Sequence, residues 1–261
     1  MAPSISLGTV ALEPTRWARG PQIPAPIALS PWLDALADAG FDGLELWERH
    51  LTDAAPDEVD AVLGHRLPIT VFNTYVSLDD PDPTGRRGVA EWVATTGARG
   101  VKFNVGRDED AELAYVERLA AWLEELPRHA ALLCECHHGI SIAEYPDTAA
   151  RIFAAVGEPE RLGAIVHTHE SVEHLERRFD AYGDRIRHVH VNYLELGESI
   201  RAPRLADVAD DLARKVDLFD RGGFDGTWSI EFVHGLQTDA DQPERLVAQA
   251  IEDLEFLRSM L

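Results

Sequence analysis

One unit repeats along this chain: an amphipathic helix, a glycine, and then a short, almost continuous apolar strand. The repeat is clear where PWLDALADAG (31–40) leads into FDGLELW (41–47), and similar letters return near the other end as GGFDGTWSIEF (222–232). Further junctions of this kind lie at 97–106, 161–169 and 183–191. A glycine that ends a helix, followed by a strand apolar on both faces, is typical of a parallel sheet covered by helices.

Eight such strands are predicted, the number that closes a βα barrel. They lie at 5–10, 43–47, 69–75, 100–105, 132–137, 164–169, 186–191 and 228–233. Helical spacing fills the intervals, for example over 111–126, 171–183, 203–220 and 243–260. Ser30 and Pro31 have the residue types that begin a helix. The prediction is an α/β protein with one (βα)8 TIM barrel domain over residues 1–261, in which a Pro- and Gly-rich loop (13–29) overhangs one end.

The overall charge and hydrophobicity limit the class of partner. The formal net charge is −22, which opposes binding to the phosphate backbone of nucleic acid. No apolar stretch approaches the length of a transmembrane helix, and the N-terminal MAPSISLGTV lacks the pattern of a signal peptide. The sequence therefore predicts a cytoplasmic protein that binds a small molecule rather than nucleic acid or a membrane. It leaves the oligomeric state open, a homo-oligomer included.

Four predicted strands in the second half carry ionisable side chains within apolar segments. They are ALLCECHH (131–138), AIVHTHE (164–170), IRHVHVN (186–192) and TWSIEFVH (227–234). Because side chains alternate along a strand, residues two positions apart share a face. The pairs on one face are Glu135 with His137, His167 with His169, His188 with His190, and Ser229 with Glu231. Buried ionisable groups are costly unless they are paired or bind a metal, so these segments predict a functional site.

A barrel brings these four segments together, because consecutive strands are neighbours and barrel enzymes work at the C-terminal ends of their strands. The residues at or near those ends are Glu135, His167, His190 and Glu231. Two carboxylates and two imidazoles suit a divalent ion such as Mn, Co, Fe or Zn, whereas Mg more often takes oxygen ligands alone. The sequence predicts a divalent metal site.

The earlier strands add polar side chains that suit a polyol. The predicted substrate-binding residues are Glu45, Trp47, Asn73, Lys102 and Asn104, together with His137, His169 and His188. Structural alternatives stay open for some of them. Lys102 can instead form a salt bridge with Glu135, while His169 and His188 can be hydrogen-bonded core residues.

The other histidines and the two cysteines predict no chemistry. Surface positions are expected for the histidines of predicted helices and loops, which are His50, His65, His129 and His174. Cys134 and Cys136 lie on the face of strand five opposite to Glu135, where small buried residues are favoured over a disulfide.

These segments resemble the xylose isomerase-like TIM barrels. That superfamily contains sugar-phosphate isomerases and epimerases, inosose dehydratases, 3-dehydroshikimate dehydratases and enzymes of the endonuclease IV type. The resemblance extends over essentially the whole chain. It is marked by GFDGLELW at strand two, the glutamate of LLCECHHG at strand five, HVHV at strand seven and GTWSIEF at strand eight.

The resemblance implies a ligand set and a pair of proton-transfer groups. In the family the metal is held by a glutamate, an aspartate or histidine, a histidine and a glutamate on strands five to eight. By position these are Glu135, His167, His190 and Glu231. The epimerases usually have aspartate in place of His167, which leaves His169 and Glu170 as alternatives. The family's two glutamates act as the acid/base pair around a metal-stabilised enediolate, and that role falls on Glu135 and Glu231.

Four functions follow as hypotheses. The first is a metal-dependent isomerase or epimerase acting on a sugar, sugar phosphate or related polyol. The second is a lyase that dehydrates a keto-polyol of the inosose or 3-dehydroshikimate type. The third is a phosphodiesterase of the endonuclease IV type, which the acidic net charge disfavours. Within the first hypothesis, a ketose epimerase is the weaker choice. Those epimerases have an arginine a few residues after the strand-seven histidine, and VNYLEL near His190 contains none. The fourth is a sugar-binding barrel without catalysis.

Overall fold

Eight parallel strands close into a barrel, as the repeat predicts. The computed structural model of the chain describes residues 3–14, 26–196, 200–235 and 242–261. The barrel strands are β1 (Ser4–Gly8), β2 (Gly43–Trp47), β3 (Ile69–Ser77), β4 (Gly100–Asn104), β5 (Ala131–Glu135), β6 (Leu162–His167), β7 (Ile186–Val191) and β10 (Thr227–Ile230). A short antiparallel pair, β8 (Glu195–Leu196) and β9 (Ile200–Arg201), lies between β7 and β10. Pairing of β10 with β1 closes the ring, and the predicted (βα)8 TIM barrel is confirmed.

Helices separate the strands and cover the outside of the barrel. In the described parts of the chain they are α1 (Leu33–Ala39), α2 (Arg49–Thr52), α3 (Pro56–Leu63), α4 (Thr84–Thr96), α5 (Glu112–Glu125), α6 (Pro146–Val156), α7 (Val172–Tyr182), α8 (Ala209–Arg221) and α9 (Pro243–Met260). None of these helices combines the length and the apolar character that crossing a membrane requires.

The start of α1 differs from the prediction. The helix begins at Leu33 rather than at Ser30, because Glu58 of α3 holds the preceding turn: its carboxylate accepts the hydroxyl of Ser30 at 2.5 Å and the N–H of Leu29 at 2.7 Å. Gly40 ends α1 at φ 100, a left-handed conformation that glycine adopts without strain. The predicted overhanging loop at 13–29 falls largely on residues 15–25, which lie outside the described residues.

The barrel interior is apolar at one level and polar at the next. Val71, Leu133 and Ile165 form a buried apolar cluster, separate from the main core between barrel and helices. Each of them precedes a polar residue of the site by two positions in the same strand, so it shares that residue's face. Cys134 and Cys136 are buried and unbridged in the main core, as predicted.

His50 contradicts the expectation of a surface position, because it is only 2% exposed. The helix α2 is a single turn after β2, and it folds the His50 ring back against the end of the barrel. There Nδ1 lies 3.0 Å from the Thr9 hydroxyl and Nε2 lies 2.7 Å from the Glu13 carboxylate. Glu13 also accepts the N–H of Ile27, so this network joins β1 and β2 to the chain just before α1.

Candidate metal centre

The four predicted ligands converge at the C-terminal ends of adjacent strands. They are Glu135, His167, His190 and Glu231. Their donor atoms all lie within 4.8 Å of one another. The two histidines are fully buried, and the two glutamates are 6% and 8% exposed. Strand pairing explains the convergence, since His167 lies opposite His190 in the β6–β7 register and Glu231 directly follows β10.

Within this cluster the imidazoles face each other. His167 Nε2 lies 3.2 Å from His190 Nδ1 and 3.3 Å from Glu135 Oε1. His190 Nδ1 lies 3.4 Å from Glu231 Oε1 and 3.7 Å from Glu135 Oε1. Two imidazole nitrogens at 3.2 Å repel each other when both present a lone pair. A proton on one nitrogen, or a cation bound by the nitrogens and the carboxylates, removes this repulsion.

Each imidazole has a further carboxylate behind it. His190 Nε2 contacts both oxygens of Glu45, at 3.1 and 3.0 Å. His167 Nδ1 faces Glu170 Oε1 at 3.7 Å. A metal-bound histidine usually donates its outer N–H to such a carboxylate, which fixes the ring and directs the other nitrogen to the ion. The donor set and these outer partners therefore fit a divalent metal.

Glu45 and His188, predicted to bind substrate, lie below this cluster. Both are fully buried, and His188 Nε2 lies 3.0 Å from Glu45 Oε2. Glu45 also accepts a hydrogen bond of 2.9 Å from Asn73. Burial alone raises the pKa of Glu45. The positive field of His190 and the hydrogen bonds from His188 and His190 outweigh burial and hold this pKa well below its usual range.

Among the three candidates of strand six, His167 faces the cluster. His169 Nδ1 donates instead to Asn192 Oδ1 at 2.9 Å. Glu170 accepts a hydrogen bond of 2.6 Å from Arg178 Nε, although its other oxygen faces His167. His167 is therefore the member of the three that the fold brings into contact with the strand-five and strand-seven groups.

The electrostatics of the cluster favour ionised carboxylates. Burial alone raises the pKa of Glu135, but the ammonium of Lys102 and the bond to His167 hold it well below the usual range. Burial alone lowers the pKa of His167, but the hydrogen bond to Glu135 and the nearby Glu170 carboxylate raise it to about 10. Protonated His167 thus supplies positive charge at the place where the donor atoms of a cation site converge.

The predicted residues of β4 lie against Glu135. Lys102 Nζ forms a buried ion pair with Glu135 Oε2 at 2.8 Å, as the structural alternative anticipated. Asn104 Nδ2 donates to the same oxygen at 3.0 Å. The ring of Tyr75 covers the Lys102 ammonium at 4.4 Å and is itself exposed at the mouth of the barrel.

The remaining predicted residues lie next to these groups. His137 packs its ring against His167 and His169, with centroids 4.9 and 5.2 Å apart. Trp47 and Asn73 are buried on neighbouring strands. The predicted set is therefore brought together, with Glu45 and His188 below the cluster and the others beside or above it.

Sequence reasoning missed Asn192 and Arg178. Asn192 Nδ2 donates to Glu231 Oε2 at 2.6 Å, so this amide contacts both His169 and Glu231. The sequence does carry a signal for Asn192, because it lies two residues after His190 and therefore shares its face. Arg178 belongs to α7 and reaches the site through Glu170, a contact between distant elements that no local pattern indicates.

The comparison with protein families agrees with the fold. The sequence model of the xylose isomerase-like TIM barrel matches residues 33–260, and this chain belongs to that family. No curated protein sequence matches the chain.

Three solved structures are similar over nearly their whole length. The IolI protein with a bound zinc atom has 15% sequence identity and a TM-score of 0.69, with 98% of each chain covered. Endonuclease IV from Thermus thermophilus has 16% identity and a TM-score of 0.64, covering 98% of this chain and 100% of the other. The apo 3-keto-D-glucoside 4-epimerase YcjR from E. coli has 14% identity and a TM-score of 0.59, covering 98% and 99%. At these identities the likeness shows the fold alone.

Proposed function

We propose that this protein is a metal-dependent isomerase or epimerase that moves a proton at a carbon next to the carbonyl of a sugar or related polyol. The observation that supports it most is the buried set of two carboxylates and two imidazoles, whose donor atoms lie within 4.8 Å of one another at the C-terminal ends of four adjacent strands. In a barrel of this kind that end is where substrates bind.

Glu135, His167, His190 and Glu231 are the residues that would hold the ion. The mixed nitrogen and oxygen donors suit Mn, Co, Zn or Fe, with Mg a weaker match. When bound, a divalent ion acts as a Lewis acid that stabilises negative charge on a substrate oxygen. The zinc in the similar IolI structure supports this assignment.

The two glutamates differ in their surroundings, which divides the proton transfer between them. Glu135 accepts from Lys102, Asn104 and His167, so its negative charge is strongly stabilised and it is a weak base. Glu231 accepts from the neutral amide of Asn192 and faces His190. We assign the removal of the substrate proton to Glu231, which becomes protonated. Glu135 lies on the far side of the four-strand arc, and it returns a proton to the carbon only after it takes one up from the Lys102 ammonium bonded to it.

The experiment is proton exchange in deuterated water with a panel of ketoses, aldoses and inososes, on protein whose metal content has been measured. The expected result is about one metal ion per chain and deuterium at the carbon next to the carbonyl. A complete lack of exchange on metal-loaded protein would sink the proposal. An ultraviolet-absorbing enone product would indicate the lyase instead, and several ions per chain with cleavage of DNA would indicate a phosphodiesterase.

A further inference from the structure

Three buried polar atoms in the part of the mouth formed by β2 to β4 have no hydrogen-bond partner among the described residues. They are Trp47 Nε1, Asn73 Oδ1 and Asn104 Oδ1. Trp47 is 7% and Asn73 is 2% exposed, so protein atoms surround these side chains on almost all sides. An unpaired buried donor or acceptor is unfavourable by about 1–3 kcal/mol, and native proteins leave few of them. Unpaired atoms beside the cluster indicate that a ligand meets them.

The chemistry of these atoms follows from their neighbours. The Asn73 amide donates to Glu45 at 2.9 Å and the Asn104 amide donates to Glu135 at 3.0 Å. An ionised carboxylate only accepts hydrogen bonds, so both amides must present nitrogen to the carboxylate and keep oxygen for the ligand. Trp47 lies opposite Asn73 in the β2–β3 register and supplies an indole N–H. Two acceptors and one donor, all uncharged, match hydroxyl groups.

Two cations beside the cluster are paired with carboxylates. Lys102 is paired with Glu135 at 2.8 Å, and Arg178 is paired with Glu170 at 2.6 Å. On the rim, the exposed Arg107 donates to the uncharged carbonyl of Ile140. Arg49, over the ring of Trp47, is paired with Asp53 at 2.6 Å and keeps one N–H, at Nη1, without a partner among the described residues. Each of these positive groups already has a hydrogen-bond acceptor from the protein, which weakens its hold on a substrate anion.

The usual phosphate-binding part of a barrel is also poor in free cations. TIM barrel enzymes often hold a phosphate with the loops after strands seven and eight. Here residues 231–242 contain no Lys or Arg, and residues 192–204 contain Arg201 and Arg204. Arg201 is bonded to Glu195 at 2.8 Å, and Arg204 lies in the field of Asp253 on α9. Within the described ranges, these loops therefore supply little free positive charge for binding an anion. Arg16 and Arg19, in the predicted loop after β1, lie outside the described residues.

We propose that the substrate of this site is an uncharged polyhydroxylated carbonyl compound, without phosphate or carboxylate, whose hydroxyls bind Trp47, Asn73 and Asn104. This rests on the proposed function, because it concerns the substrate of the same site. The half of the mouth formed by β2 to β4 selects the substrate, and the half formed by β5 to β10 acts on it.

The test compares matched pairs of probes that differ by a phosphate: D-ribulose with D-ribulose 5-phosphate, D-xylulose with D-xylulose 5-phosphate, and D-fructose with D-fructose 6-phosphate. Binding to metal-loaded protein is measured by calorimetry, with inorganic phosphate as competitor. The expected result is that a free ketose binds at least about tenfold more tightly than its ester and that phosphate does not displace it. A tighter ester, displacement by phosphate, or no binding by any free ketose would overturn the proposal.

The hydroxyl contacts are tested with Trp47→Phe, which removes the indole N–H and keeps an aromatic ring. Affinity for the free ketose is expected to fall about five- to tenfold, with metal content unchanged. Trp92→Phe, at a partly buried position on α4, is the matched control and leaves affinity unchanged. Equal affinity of Trp47→Phe and wild type would remove Trp47 from the subsite.

Binding and exchange separate this inference from the proposed function. If deuterium exchange occurs with phosphate esters and not with free ketoses, the proposed function stands and the uncharged substrate is wrong. If free ketoses bind selectively but none exchanges, the substrate class stands and the proposed reaction is wrong.

Discussion

The two halves of the barrel mouth are built on different principles. From β5 to β10 the ionisable groups contact one another, with carboxylates and imidazoles in one hydrogen-bonded cluster. From β2 to β4 the side chains that reach the mouth are mainly neutral, and several of their polar atoms lack a partner within the described ranges. Charges held against each other at close range favour a cation among them, whereas unpaired neutral atoms favour a ligand that brings its own hydroxyls.

The largest effect is expected at the proton-transfer group of the charged half. Glu231→Gln keeps the size of the side chain and removes its basicity, so substrate exchange should fall about 10³-fold. Exchange is followed by NMR in deuterated water, and metal content is measured on the same sample. Glu195→Gln changes an exposed glutamate bonded to Arg201 and serves as control. Glu231→Gln protein that keeps its metal and nearly full exchange would show that the base lies elsewhere.

The next effect separates the two histidines of strand six. His167→Asn should weaken zinc binding at least about 100-fold, because it removes a donor from the cluster. His169→Asn should leave zinc affinity nearly unchanged, since its Nδ1 is bonded to Asn192. Competition with a zinc-binding dye measures both. The reverse order of affinities would assign the ligand to His169.

A smaller loss of metal is expected below the cluster. Glu45→Gln replaces the carboxylate that contacts His190, and zinc affinity should fall about tenfold because the ring is less firmly oriented. Trp47→Phe, two residues further along the same strand, should leave zinc affinity unchanged. An equal loss in the two variants would mean that the effect of Glu45 does not come from its contact with His190.

The smallest effect concerns a buried carboxylate outside the site, Asp253. Burial raises the pKa of Asp253 on α9 to about 6, and one of its oxygens has no partner among the described residues. Because the folded chain holds this proton more tightly than the unfolded chain, the contribution to stability is present at low pH and lost as pH rises through about 6. From about pH 5 to about pH 7 the free energy of unfolding should therefore fall by about 1 kcal/mol on account of this group.

Urea unfolding at both pH values checks this for wild type, Asp253→Asn and the exposed control Glu255→Gln. The Asn variant should lose that part of the pH dependence, and the Glu255 variant should keep it. A wild-type slope in Asp253→Asn would place the titrating group elsewhere.

The barrel and much of the site could be predicted from the sequence, because both depend on local periodicity. Alternation along each strand placed Glu135, His190 and Glu231 on one inner face, and their donor atoms converge. Parity did not separate His167 from His169, since the two share a face; tertiary contacts with Asn192 distinguish them.

The failures have a common physical cause. His50 was expected on the surface because it lies in a predicted helix or loop, and the fold buries it against Thr9 and Glu13 from another part of the chain. Glu45 stays a predicted substrate-binding residue, and its long-range contacts with His188 and His190 are what the local pattern did not indicate. Alternation tells which side of a strand a residue occupies, but not what meets it there.

The contact between Glu45 and His190 joins residues 145 positions apart, on strands that are not neighbours in the ring. The orientation of one ligand ring therefore depends on a strand near the start of the chain and a strand near its end. The four donors lie on adjacent strands, whereas this orienting contact exists only once the sheet has closed into a ring. Uptake of the ion at full affinity would therefore report closure of the barrel and not only assembly of the four strands that carry the donors.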